Sequence, residues 1–200
     1  MERRGVFVPS VNAAKRSAEE LIVYLKTLTD ADGHTGSIDG KSGSTTLYRD
    51  GTAVGGSDRF GFVDATGLPA GKASYKLVTT GTQEVWPFST RMDVEATFTS
   101  SADQPGVAIY TVGYQPEVDG NNTMARKPVT VLPFTVQGTV RQVKIQYSDD
   151  GGVTWKQAPV AGGKAIFPTP AGKTISLRST ATDAAGNNTT QTVIAAYSMR

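Results

Sequence analysis

Apolar and polar positions alternate through most of this chain at the two-residue period of a β-strand. The pattern is clearest over 92–99, where Met92, Val94, Ala96 and Phe98 alternate with Asp93, Glu95, Thr97 and Thr99, predicting one buried and one wet face. Residues 74–80, 140–147, 174–182 and 189–197 also read as strands, with shorter β-like runs at 107–114, 129–132, 134–136, 153–156 and 165–167. Pro133 interrupts the run over 129–136, as suits an edge or a bulge. Leu21-Ile22-Val23-Tyr24-Leu25 is a continuous apolar run. Although 17–20 has capping-box spacing, the run lacks a helical period, which favours a strand over 21–27. Asp50-Gly51, between 45–48 and 53–54, predicts a hairpin because both residues accept the positive φ angles of a primed turn. In the second half, about seven short strands with frequent turns predict a Greek-key sandwich.

The pattern occurs twice. Pro-Ala-Gly-Lys stands at 69–72 and again at 170–173, each time leading into an alternating run. Tyr48-Arg49-Asp50-Gly51 and Tyr147-Ser148-Asp149-Asp150-Gly151 close β-like runs at nearly the same offset, about one hundred positions apart. Self-similarity at a fixed period signals repeated architecture. The polar stretch 100–106 ends in Pro-Gly and marks the expected boundary. The chain therefore divides into an irregular N-terminal segment over 1–18, a first sandwich over 19–103 and a second over 104–200.

Composition agrees with short strands and tight turns, with Gly 22 and Pro 10 among 200 residues. The absence of cysteine excludes thiol catalysis and thiolate metal sites while leaving the redox compartment open. A net charge of +2, with no Lys/Arg stripe interleaved with aromatics, gives nucleic acid no electrostatic footprint. No run reaches membrane-spanning length, and the basic start is followed by too short an apolar stretch for a signal peptide. As written, the chain is expected to stay in the cytoplasm unless it belongs to something exported.

Candidate chemistry is sparse. Asp30, Asp32 and Asp39 lie in a Gly/Asp-rich loop and are candidate calcium ligands, since hard cations take several oxygens from a short segment. The loop lacks the glycine and glutamate of an EF-hand, so turn formation is its favoured role. His34 is the only histidine and reads as a solvated loop residue. Ser148-Asp149-Asp150-Gly151-Gly152-Val153-Thr154-Trp155 fits the Asp-box pattern, in which the aspartate fixes a hairpin and the tryptophan packs beneath it. Trp86, Tyr114 and Trp155 are candidates for stacking on a sugar or peptide, against the commoner role of filling a core. The glycosylation sequons at 121–123 and 188–190 read as turns.

Residues 181–193 resemble the last hairpin of bacterial immunoglobulin-like and fibronectin-III-like modules. A narrower likeness covers roughly 28–200. Leu47-Tyr48-Arg49-Asp50-Gly51, Leu68-Pro69-Ala70-Gly71, Tyr75-Lys76-Leu77, Ala96-Thr97-Phe98-Thr99-Ser100, Tyr147 to Gly151 with Thr154-Trp155, and Thr192-Val193-Ile194 resemble the non-catalytic C-terminal region of secreted subtilisin-like serine peptidases of Gram-positive soil bacteria. Arg4-Gly5-Val6-Phe7 is similar to the preceding segment of such proteins. The resemblance implies an all-β chain of two tandem Ig-like/fibronectin-III-like sandwiches, linked covalently or genetically to a peptidase domain and extracellular with its parent. Its role would be spacer, stabiliser or substrate-docking surface. The serine of a Gly-Thr-Ser-Met-Ala-like motif is missing, so peptidase activity does not carry over. The alternative is a stand-alone Ig-like protein binding a carbohydrate, protein or cell surface, with no cofactor beyond the calcium just considered.

Overall fold

A computed structural model describes residues 5–30, 32–36 and 42–200. Asp39 lies outside the described residues. The described chain is all β. Its first half contains β1 (Val8–Arg16), β2 (Leu21–Thr29), β3 (Thr35–Gly36), β4 (Ser42–Arg49), β5 (Thr52–Ser57), β6 (Phe62–Ala65), β7 (Ala73–Thr82) and β8 (Arg91–Ser100). The second half contains β9 (Thr111–Tyr114), β10 (Thr123–Met124), β11 (Val129–Gln137), β12 (Gln142–Ser148), β13 (Lys156–Ala158), β14 (Val160–Ala161), β15 (Lys164–Pro168), β16 (Thr174–Thr182) and β17 (Asn188–Met199).

The local patterns fold as their period requires. In β8, Met92, Val94, Ala96 and Phe98 are buried on one face. The β4–β5 hairpin turns on Asp50 and Gly51, with φ of 48° and 84°, the two left-handed residues of a primed turn.

The strand order of the first half recurs in the second. In the first half, β5-β4-β7-β8 forms one layer, while β6 and β1 pair with β2 in the other. In the second, β13-β12-β16-β17 forms the same layer, while β15 and β9 pair with β11. The two Pro-Ala-Gly-Lys corners precede the equivalent strands β7 and β16. Each corner is held by an arginine. Arg16, buried, donates to the Pro69 carbonyl at 2.9 Å, and Arg126 donates to those of Pro170, Ala171 and Gly172 at 2.6, 3.0 and 2.8 Å.

Several expectations about the strands and sheets need correction. Residues 8–16, expected to be irregular, form β1, because pairing with β2 overrides a polar local sequence. The strand expected over 107–114 is shortened to Thr111–Tyr114, and the one expected over 153–156 is absent, because the Asp-box turn occupies 151–155 and β13 begins only at Lys156. The halves also do not keep separate sheets. Their equivalent last strands pair antiparallel, from Asn188↔Thr97 to Ile194↔Arg91, and make one nine-stranded sheet. Each edge would otherwise present an unpaired ladder to solvent.

Two cores lie beneath this shared sheet. One gathers Leu21, Val23, Leu25, Leu47, Leu77 and Phe98. The other gathers Leu132, Ile145, Phe167, Leu177 and Tyr197, and takes Val6, Val8 and Met92 from the first half of the chain.

Candidate functional site

The acidic loop is a turn held by its first aspartate. Asp30 accepts the amides of Asp32 and His34 at 3.0 and 2.8 Å, and its second oxygen meets His34 Nδ1 at 2.9 Å. Burial pushes the Asp30 carboxyl up, but the bonds from His34 and Asp32 outweigh it and leave the group below its ordinary value. One ligand atom from each of Asp30, Asp32 and His34 falls within a 4.8 Å cluster, so His34 stands with the two aspartates expected from the sequence. The His34 side chain is 81% exposed, which gives it none of the water exclusion that strengthens catalytic electrostatics.

The Asp-box forms the hairpin its pattern predicts. Ser148 Oγ accepts the Gly152 amide at 2.9 Å and donates to Asp150 at 2.6 Å. Asp150 in turn accepts the Thr154 amide at 2.9 Å and the Thr154 hydroxyl. These bonds, led by that of Ser148, hold the Asp150 carboxyl well below the usual carboxylate range. Trp155 donates from Nε1 to the Gly152 carbonyl at 2.9 Å, and the Arg178 guanidinium sits 4.0 Å over its ring. A partly buried ring with a cation on its face is a structural support.

The three aromatic candidates have different environments. Tyr114 is fully buried in the second core, where burial pushes its phenol above the usual range, so it presents no ring to a ligand. This corrects its placement on a binding face. Trp155 belongs to its own hairpin. Trp86 alone is 47% exposed.

Trp86 sits in the connection between β7 and β8. The Gln83 amide organises that loop: Oε1 accepts the Trp86 amide at 2.9 Å, while Nε2 donates to the carbonyls of Trp86 and Phe88 at 3.1 and 2.6 Å. The loop walls a groove of about 580 Å³, lined by Phe7, Trp86, Pro87, Phe88, Gly120, Asn121 and Asn122. Its walls therefore come from both halves of the chain. Ser89 donates from its amide to Ala195 and from Oγ to Phe7, both at 2.8 Å. Asn122 donates from Nδ2 to Gly5 at 3.4 Å.

Ser89, Asn122 and Ala195 have φ of 50°, 53° and 57° and are three of the four non-glycine residues with positive φ among the described residues. Such conformations persist only where surrounding bonds enforce them, and they gather at ligand sites more than elsewhere. The sequence did not mark Phe7, Phe88 or Asn122 as candidate site residues. The apolar run Val85-Trp86-Pro87-Phe88 in a polar connection was the available signal, but the opposite wall comes from residues distant in sequence.

No protein-family model matches the chain, and no curated protein matches it. Among solved structures, the fibronectin(III)-like modules of CbhA from Clostridium thermocellum are similar over 96% of this chain and 94% of that chain, at 12% identity and a TM-score of 0.30. A score that low adds nothing to the sheet order, which defines the all-β sandwich by itself.

Proposed function

We propose that the chain is a non-catalytic accessory module, extracellular as part of a secreted subtilisin-like serine peptidase, serving as a spacer and docking surface for its parent's substrates. The sequence matches around 47–51, 68–71, 96–100 and 147–155 support the peptidase connection. The pairing of β8 with β17 carries the spacer role, because a shared sheet fixes the two sandwiches in one orientation where a flexible linker would not. A protein or polysaccharide surface is the partner such a role requires. The stand-alone binding alternative draws on the Trp86 groove, which needs no peptidase to act.

Two experiments test the proposal. The purified chain should leave casein and chromogenic peptides uncut, since its only imidazole lies on an exposed loop. Turnover abolished by a serine-directed inhibitor would overturn the non-catalytic reading. Sequencing the adjoining coding region should reveal the Asp, His and Ser motifs of a subtilisin-like domain. Their absence would remove the peptidase parent and leave the stand-alone module.

A further inference from the structure

We propose that a lane left open beside β11 receives an extended polypeptide segment as an added antiparallel strand. The inference rests on the substrate-docking reading and gives the substrate its class, an unfolded peptide taken up through its backbone.

The two halves differ at this lane. In the first, β2 has a neighbour on each side over 21–24: β6, from Leu21↔Ala65 to Tyr24↔Phe62, and β1, from Arg16↔Leu21 to Ala13↔Tyr24. β11 is the counterpart of β2. It pairs with β15 over 129–133, but with β9 only over 134–137. The Gln115 amide still donates to the Pro133 carbonyl at 2.9 Å, after which the chain leaves the sheet and returns to it at Val129. Between that connection and β11 lies a cleft of about 310 Å³, whose lining includes Glu117, Val118, Met124, Lys127, Val129 and Val131.

The ladder fixes which backbone groups face the cleft. Alternate residues of a strand direct their N–H and C=O groups to opposite sides. Thr169 donates to the Pro128 carbonyl at 3.2 Å and Phe134 donates to Gly163 at 3.0 Å, both on the β15 side, whereas Pro133 accepts from Gln115 on the β9 side. The even positions of β11 thus face β15, and Val129 and Val131 turn their amides and carbonyls into the cleft. Neither makes a backbone bond on that side to any described residue. An open ladder is a template for an extended chain, and a strand added here would continue the one that β9 forms with β11.

Side chains narrow the occupant. Val129 and Val131 are 46% and 45% exposed, and Val131 stands opposite Ile166, itself 40% exposed. Residues of an added strand directly opposite the two valines would exchange hydrogen bonds with them and share their face, where β-branched side chains pair well. The loop side of the cleft carries two ion pairs, Glu117 with Lys127 at 2.8 Å and Asp119 with Arg200 at 3.1 Å. Charges of both signs already matched to each other favour a segment without net charge.

The test uses the full chain, with amide exchange followed by NMR. In the free chain the Val129 and Val131 amides should exchange about tenfold or more faster than those of Thr130 and Leu132, which face β15. The probe is a capped decapeptide that alternates valine with threonine between a terminal lysine and a terminal glutamate. It should bind with a sub-millimolar Kd and slow exchange at Val129 and Val131. N-methylation of its valines, which removes the donors on the edge facing β11, should weaken binding about tenfold or more. N-methylation of its threonines, on the other edge, should change binding by less than about twofold. Val131→Asp, at an exposed position, should weaken binding with circular dichroism unchanged. The proposal is overturned if the free chain already protects both valine amides, if the peptide leaves their exchange unchanged, or if the valine-methylated peptide binds like its parent. A dimer held through the same amides, seen by light scattering, would overturn it too, since a second copy would then be the occupant. An adjoining coding region without peptidase motifs would remove the parent and leave peptide uptake at β11 as measured, whereas the failures just named would remove the lane and leave the parent.

Discussion

Two glycines in the same four-residue motif have different reasons to be glycine. A Cβ on Gly71 would meet nothing within 4 Å, whereas one on Gly172 would collide with the Asp149 backbone carbonyl and lie 2.7 Å from the Asp149 Cβ. The close approach in the second copy comes from the Asp-box turn, whose Asp149 also accepts the Gly172 amide at 3.3 Å. Gly172→Ala should therefore cost about 2–3 kcal/mol in urea denaturation, while Gly71→Ala should stay within about 0.5 kcal/mol. Equal effects would mean that the corners do not differ as described. Asp150 makes a second residue-scale prediction. Its carboxyl is held below the ordinary aspartate value of 3.8, chiefly by the Ser148 hydroxyl and then by Thr154. A depressed native value contributes stability that is fully present above the unfolded-state value and is lost as pH falls through the native one. Asp150→Asn should lower the melting temperature at neutral pH, with the gap from wild type narrowing below about pH 4. A gap that stays constant down to about pH 2 would show that the carboxylate charge is not what stabilises the turn.

Strands and hairpins were legible wherever the determining contacts are local. The alternation at 92–99, the Asp50-Gly51 turn and the repeated corners each appear where their chemistry placed them. β1 was not legible, since Val-Pro-Ser-Val-Asn-Ala-Ala-Lys-Arg has no clean alternation and is drawn into the sheet by β2. The Phe60 slot is another non-local device. Gly43 on β4 and Gly81 on β7 lie directly opposite each other, and Phe60 covers both in place of the side chains they lack. A Cβ on Gly43 would stand 2.6 Å from the Phe60 backbone nitrogen, whereas one on Gly81 would stand 2.8 Å from Cδ2 of the ring. A ring can rotate more readily than a backbone can move. Gly43→Ala should thus destabilise by about 2–3 kcal/mol and Gly81→Ala by about 1 kcal/mol. Adding Phe60→Ala should cancel more of the Gly81→Ala loss than of the Gly43→Ala loss in a double-mutant cycle.

At the scale of the whole molecule, the tandem period was visible in the sequence, but the join between its copies was not. Nothing local in β8 or β17 specifies that equivalent last strands will pair with each other. The join reaches beyond the ladder, because Val6, Val8 and Met92 enter the second core. Gln137 also accepts the Val11 amide at 2.9 Å and donates to its carbonyl at 2.8 Å. Separation into two independently folded halves, expected of tandem modules, would break all of these contacts. A fragment starting at Gln104 would lose the β8 partner of β17 along the ladder from Asn188 to Ile194 and leave that edge open. The full chain should melt in one calorimetric transition whose van't Hoff and calorimetric enthalpies agree. The fragment should melt lower, and its melting temperature should rise with concentration as β17 edges pair antiparallel between copies, much as β17 now pairs with its internal equivalent. Light scattering after size-exclusion chromatography should then report a dimer. A fragment that stays monomeric and retains the melting temperature of the full chain would show that the shared sheet is incidental and that each sandwich stands alone.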